Sequence, residues 1–113
     1  MQPPFVLGNL VFDAGATDVG TAGSRVALSA DSGLHANYRI VWARFRGTPG
    51  NSGIVYVGIG DDSASHGWSL ENNDDTGLEL PIPLGGSIPL GDINFDAASS
   101  GDDVEWAILY QAP

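Results

Sequence analysis

Apolar and polar residues alternate with a period of two along short stretches of this chain, and no stretch sustains a helical period. The clearest case is 104–110, where Val104, Trp106, Ile108 and Tyr110 fall on one face and Glu105, Ala107 and Leu109 on the other. Ile93, Phe95 and Ala97 share a face of 93–97, and Leu78, Leu80 and Ile82 share a face of 78–82. Residues 54–59 are mostly β-branched or aromatic, as a buried strand requires. In 38–46, Tyr38, Ile40, Trp42, Arg44 and Arg46 lie on one face, with Arg39, Val41, Ala43 and Phe45 on the other. Neither face is purely polar, which predicts a strand partly covered on both sides. A shorter alternation at 25–29 predicts one more strand.

The segments between these runs carry turn chemistry. Residues 13–23 (DAGATDVGTAG) and 30–37 read as loops, and 84–89 as a further turn. Residues 47–53 (GTPGNSG) and 98–103 read as hairpin turns joining their flanking strands. Residues 60–77 are long for a loop in a small domain, and Trp68 and Leu70 are expected to fold back and plug the edge of the core. Pro81 and Pro83 confine their segment to a sheet edge or a strand end. The expected fold is an all-β, single-domain β-sandwich of jelly-roll or Greek-key type with about seven or eight short strands. Helix is expected to be absent or limited to a single turn. Residues 1–12 form an apolar arm or edge strand, and 13–113 the sandwich domain.

Composition narrows the function classes. The formal net charge is -10, and the only basic side chains are Arg25, Arg39, Arg44 and Arg46. A nucleic-acid ligand needs a basic footprint, and an anionic membrane surface repels an acidic chain, so neither is an expected partner. The charge itself reads as solubility, with adaptation to high salt or docking onto a basic partner as sharper alternatives. There is no cysteine, hence no disulfide framework and no thiolate metal site. The N-terminus lacks the basic region and apolar core of a signal peptide, and no apolar run approaches the roughly 20 residues a membrane helix needs.

Candidate chemistry is sparse. The carboxylate pairs Asp61-Asp62, Asp74-Asp75 and Asp102-Asp103 all sit beside Gly, Ser or Asn, where Asp caps local backbone. Calcium would draw on such loops, but the spaced acidic loop pattern is missing. Adjacent turn aspartates do not face each other across a cleft as glycosidase carboxylates do. His35 and His66 are isolated, and neither stands in a nucleophile-elbow context. No catalytic residue, cofactor or metal is expected, and the chain reads as a non-enzyme. Trp42 and Trp106 lie within strands and are expected in the core. Trp68, in a loop, is free to serve a sugar or protein interface.

From Val19 to Tyr110 the order of these elements resembles a family of small tailed-phage virion proteins. Gly20-Thr21-Ala22 leads to Val26-Ala27-Leu28-Ser29, and the strand at 39–45 follows. An Asn-x-Gly-x-Val-Tyr-Val-Gly box is matched by Asn51, Gly53, Val55, Tyr56, Val57 and Gly58. Gly67-Trp68-Ser69-Leu70 and Leu78-Glu79-Leu80-Pro81-Ile82 match a Gly-aromatic-x-Leu element and an acidic alternating strand. Leu90-Gly91-Asp92-Ile93-Asn94-Phe95-Asp96-Ala97-Ala98-Ser99 and the Gly101 to Tyr110 end strand complete the match.

The resemblance implies a jelly-roll-like structural protein of the virion, located on the particle surface and assembled in the host cytoplasm. The leading expectation is a capsid decoration (cement) protein that contacts the major capsid protein or other virion proteins as a homo-oligomer, with a trimer favoured. The alternative is a receptor- or carbohydrate-binding module on a fibre or tail, using Trp68 and residues 60–77. A third reading is a calcium-stabilised secreted adhesion domain. The N-terminal arm lies outside the matched region. Its uncharged apolar residues make Phe5, Val6, Leu7 and Leu10, together with Trp68, the candidate interface.

Overall fold

A computed structural model describes residues 10–59, 68–71, 78–80 and 87–111. Among these, the strands are β1 (Leu10–Val19), β2 (Val26–Ala27), β3 (Arg39–Gly47), β4 (Val55–Ile59), β5 (Trp68–Leu70), β6 (Leu78–Leu80), β7 (Ile88–Pro89), β8 (Ile93–Ala97) and β9 (Asp102–Gln111). A five-residue helix, α1 (Leu28–Ser32), and a 3-10 turn at Leu90–Asp92 complete the described elements. The expected all-β, single-domain architecture is what is found.

The strands form two antiparallel sheets. One has the order β1-β9-β3-β6, with β7 also on β3; the other has the order β2-β8-β4-β5. The pairings nest: β1 with β9, β2 with β8, β3 with β6 and β7, and β4 with β5. Such nesting describes one long double ribbon with its tip between β4 and β5. Rolling the ribbon adds the contacts β9–β3 and β8–β4 and gives the two-sheet wrap of a jelly roll. β6 and β7 share one edge of β3, opposite 43–45 and 39–40 respectively, and act as two halves of one partner strand.

The alternation in β9 determines which side of the larger sheet is core. Val104, Trp106, Ile108 and Tyr110 are buried, and they meet Phe45 and Ile40 of β3 and Val55, Val57, Ile93 and Phe95 of the smaller sheet. The Phe45 and Phe95 rings, one from each sheet, meet edge to face at 5.7 Å. Side chains of this size contribute about 1.5–3 kcal/mol each when fully buried.

Several expectations are corrected by the structure. Residues 13–19, read as loop, continue β1, because small and polar residues suffice on an edge strand that β9 holds along ten register positions. The alternation at 25–29 is strand only at Val26–Ala27. Leu28 then buries its side chain at the start of α1, whose five residues amount to little more than the single turn of helix expected. The helix ends where Gly33, at φ 74°, takes the left-handed conformation that glycine accepts without strain. Residues 47–53 and 98–103 are not hairpin turns. Each carries the chain from one sheet to the other, since β3 and β9 belong to one sheet and β4 and β8 to the second. Residues 68–70, read as part of a loop, form β5 and pair with Val55 to Val57, and from this edge strand Leu70 packs into the core as expected. Ile88–Pro89, expected within a turn, forms β7.

The face assignment in β3 also changes. A β-bulge between Ile40 and Trp42 leaves Val41 without a register partner. Ile40 points inward before it, and Ala43, Phe45 and Gly47 after it, while Trp42, Arg44 and Arg46 point away from the core. The mixed polarity of both predicted faces is therefore a phase shift within the strand.

Candidate functional site

The two inter-sheet crossings lie side by side at one rim, and the turn aspartates fix them there. Asp102 is buried, and its two carboxylate oxygens accept the backbone N–H groups of Ser52 and Gly53, each at 2.9 Å. Asn51 Nδ2 donates to the Asp103 carbonyl at 2.8 Å, and its Oδ1 accepts the Asp103 N–H at 2.9 Å, so this side chain substitutes for a strand partner. Asp96, also buried, accepts the N–H groups of Gly23 at 2.9 Å and Ala97 at 2.8 Å. These carboxylates are occupied by backbone donors. Among the described residues no group of three or more His, Cys, Asp or Glu side chains is placed to hold a metal ion.

A second network ties β9 to α1 through β1. Trp106 Nε1 donates to Thr17 Oγ1 at 3.0 Å, and Thr17 Oγ1 donates to Asp31 at 2.8 Å. Thr17 is fully buried, so this hydroxyl satisfies the indole N–H where water does not reach. At the far end of the sandwich, Tyr110 stacks on Tyr38 with centroids 5.2 Å apart, and His35 lies 5.5 Å from Tyr38. Burial, then Asp13, then Tyr38 push the Tyr110 hydroxyl above its ordinary pKa. His35 is exposed, and its Nδ1 accepts the Asn37 N–H, a local turn contact.

The candidate site is the outer face of the larger sheet, assembled in rows by its register. One row is Leu10, Gln111 and Arg39; the next is Phe12, Leu109 and Trp42; then come Ala14, Ala107 and Arg44, and after them Ala16, Glu105 and Arg46. The last row pairs Asp18 with Asp103. The apolar row Phe12, Leu109 and Trp42 thus lies toward the Leu10 end, next to the row carrying Gln111 and Arg39, and the Asp18 end is acidic. Phe12 is 62% exposed, and its ring lies 6.5 Å from that of Trp42, with Leu109 between them in the register. Beside this strip is an open depression of about 610 Å³, floored by Ala14, Ala16 and Ala107 and walled by Arg44, Arg46 and Glu105. Arg46 is ion-paired to Glu105, with Nε donating at 2.9 Å. Burial first, then Asp18 opposite and its hydrogen bond, raise the Asp103 pKa.

Of the residues proposed for an interface, Phe5, Val6 and Leu7 lie outside the described residues. Leu10 opens β1 on this face, in the row next to Phe12. Trp68 opens β5 in the smaller sheet, opposite Val57 in register, so the structure does not bring it to the Leu10 site. Asp61, Asp62, His66, Asp74 and Asp75 also fall outside the described residues. No sequence pattern marks Phe12, Trp42 and Leu109 as a unit, since they come from three separate strands. Trp42, expected in the core, is half-buried and lies on the outer face with Arg44 and Arg46; the mixed polarity of 38–46 is the sequence signal for this. Among the described residues no helix is long and apolar enough to cross a membrane. The chain matches no known protein family, no curated protein and no solved structure.

Proposed function

We propose that this chain is a non-enzymatic assembly module of a phage particle, a jelly roll that decorates the capsid and stabilises the head. The observation that carries this reading is the row Phe12–Leu109–Trp42, an apolar strip on the solvent side of a sheet whose other side is already core. An apolar strip with one exposed ring, Phe12, and half-buried Trp42 and Leu109 on the outer side of a sheet is a surface suited to be covered by another chain. The occupied carboxylates of Asp96 and Asp102 support a scaffold in preference to a catalyst. The order of sequence elements from Val19 to Tyr110 supports the virion setting. Mechanically, each copy adds buried area across junctions between shell subunits and so opposes their separation under internal pressure. The experiment is occupancy on particles made without the native copy. Saturable binding with a raised particle melting temperature supports the reading, and no binding overturns it.

A second reading, a carbohydrate- or receptor-binding module of a fibre or tail, draws on the same Phe12–Trp42 pair, since sugar rings stack on exposed aromatics. Saturable glycan binding lost in Trp42→Ala would select it.

A further inference from the structure

We infer that the apolar strip is covered by the N-terminal segment of a second copy of this chain, residues 3–7, so that copies are joined by exchange of their arms. This rests on the reading of the chain as an assembly module and names the module's first partner.

Chemistry and position identify the occupant. Residues 1–12 contain no charged side chain in a protein of net charge -10, so this segment can lie on the face without setting a like charge against Asp18 or Glu105 and without displacing Arg46 from Glu105. Phe5, Val6 and Leu7 offer apolar projections, and the alanine-floored depression beside Phe12 and Trp42 offers space for them. The segment joins the sheet at Leu10, one row from Phe12 and Leu109 and at the end of the face opposite Asp18 and Asp103.

The chain's own arm is the poorer cover. A reversal at Gly8-Asn9 would set Leu7 opposite Leu10 and Phe5 opposite Phe12 on the same face, because cross-strand partners share a side. That pairing would lengthen the strip and leave it open. Pro3 and Pro4 also withhold two backbone donors from such a hairpin.

The test uses the absence of cysteine from the chain. Ala107→Cys places one thiol in the depression, and its rate of labelling by a bulky maleimide reports whether the face is covered. The expected result is labelling slowed by roughly tenfold to a hundredfold at concentrations where the protein sediments as an oligomer. The slowing should disappear on dilution, in a chain lacking residues 1–7, and in the full-length Phe5→Asp/Leu7→Asp variant, with the cooperative melt retained. Slow labelling that persists at every dilution would assign the cover to the chain's own arm and overturn the inference. Fast labelling at all concentrations, or slow labelling unchanged in both arm variants, would overturn it as well. Particle occupancy is scored separately. Failure of protection with occupancy intact refutes arm exchange alone, and protection without occupancy refutes the particle reading alone.

Discussion

Replacing Asp102 by Ala removes the fastening between the two inter-sheet crossings. The carboxylate is 5% exposed and holds two backbone N–H groups at 2.9 Å. A hydrogen bond to a charged group contributes about 1.5–3 kcal/mol net, and two are lost here. Relief of the carboxylate's own desolvation offsets part of the loss, which leaves a destabilisation of about 3 kcal/mol. With an unfolding entropy of about 2.1 cal/mol/K per residue, the 113 residues give about 0.24 kcal/mol/K. The melting temperature should therefore fall by about 12 °C. Asp102→Asn is the sharper control, because an amide has one acceptor oxygen where the carboxylate has two. It should lose about half as much, since one of the Ser52 and Gly53 N–H groups then faces an amide N–H. Calorimetry at neutral pH measures both variants, and hydrogen exchange at 52 and 53 should quicken in each. A fall of less than about 3 °C in Asp102→Ala would refute the claim that this carboxylate fastens the rim.

Thr17→Val keeps the shape of the side chain but leaves Trp106 Nε1 without its acceptor, and should cost about 1–3 kcal/mol by denaturant titration, with Thr17→Ser close to wild type. Gly47→Ala puts a Cβ 2.9 Å from the Glu71 carbonyl oxygen, a backbone atom with little freedom to yield, and should cost about 1–3 kcal/mol by thermal melting. Asp18→Asn removes a like-charge partner of Asp103, whose pKa is raised first by burial and then by Asp18. A raised folded-state pKa means that the protonated form is favoured by folding. The corresponding stability is complete below the ordinary value of 3.8 and is lost as pH rises through the raised value. Asp18→Asn should therefore stabilise the protein at pH 7 by a few tenths of a kcal/mol, the low end for an exposed cross-strand pair, and the gain should vanish below about pH 4.

Strand positions were legible where one face is core. The alternation in 93–97 and 104–110 could be read because Ile93, Phe95, Val104, Trp106 and Ile108 pack inward at every second residue. β1 was not legible, since Asp13, Ala14, Gly15 and Ala16 carry turn chemistry and are held in a strand by β9 from outside their own sequence. Turn composition at 47–53 and 98–103 announced reversals of the chain, but composition does not encode whether the next strand joins the same sheet. The bulge at Val41 hid the face assignment of Trp42 and the arginines, because one extra residue inverts every later position in a period of two. The local role of Asp102 was legible from its turn setting, whereas its partners, 49 and 50 residues away, were not. The candidate site was hidden for a related reason: Phe12, Leu109 and Trp42 come from three distant segments, and only the register of β1, β9 and β3 puts them in one row.

The most direct measurement is the occupancy of Phe12→Ser/Leu109→Ser on particles lacking the native copy, with the variant first shown to melt cooperatively. Both side chains lie on the solvent side of the sheet, so the core is left intact. The proposed assembly face predicts that this folded variant no longer decorates the particle, while Arg25→Gln, away from that face, binds as wild type. Full occupancy of the Phe12→Ser/Leu109→Ser protein would contradict the assignment of this sheet face to assembly.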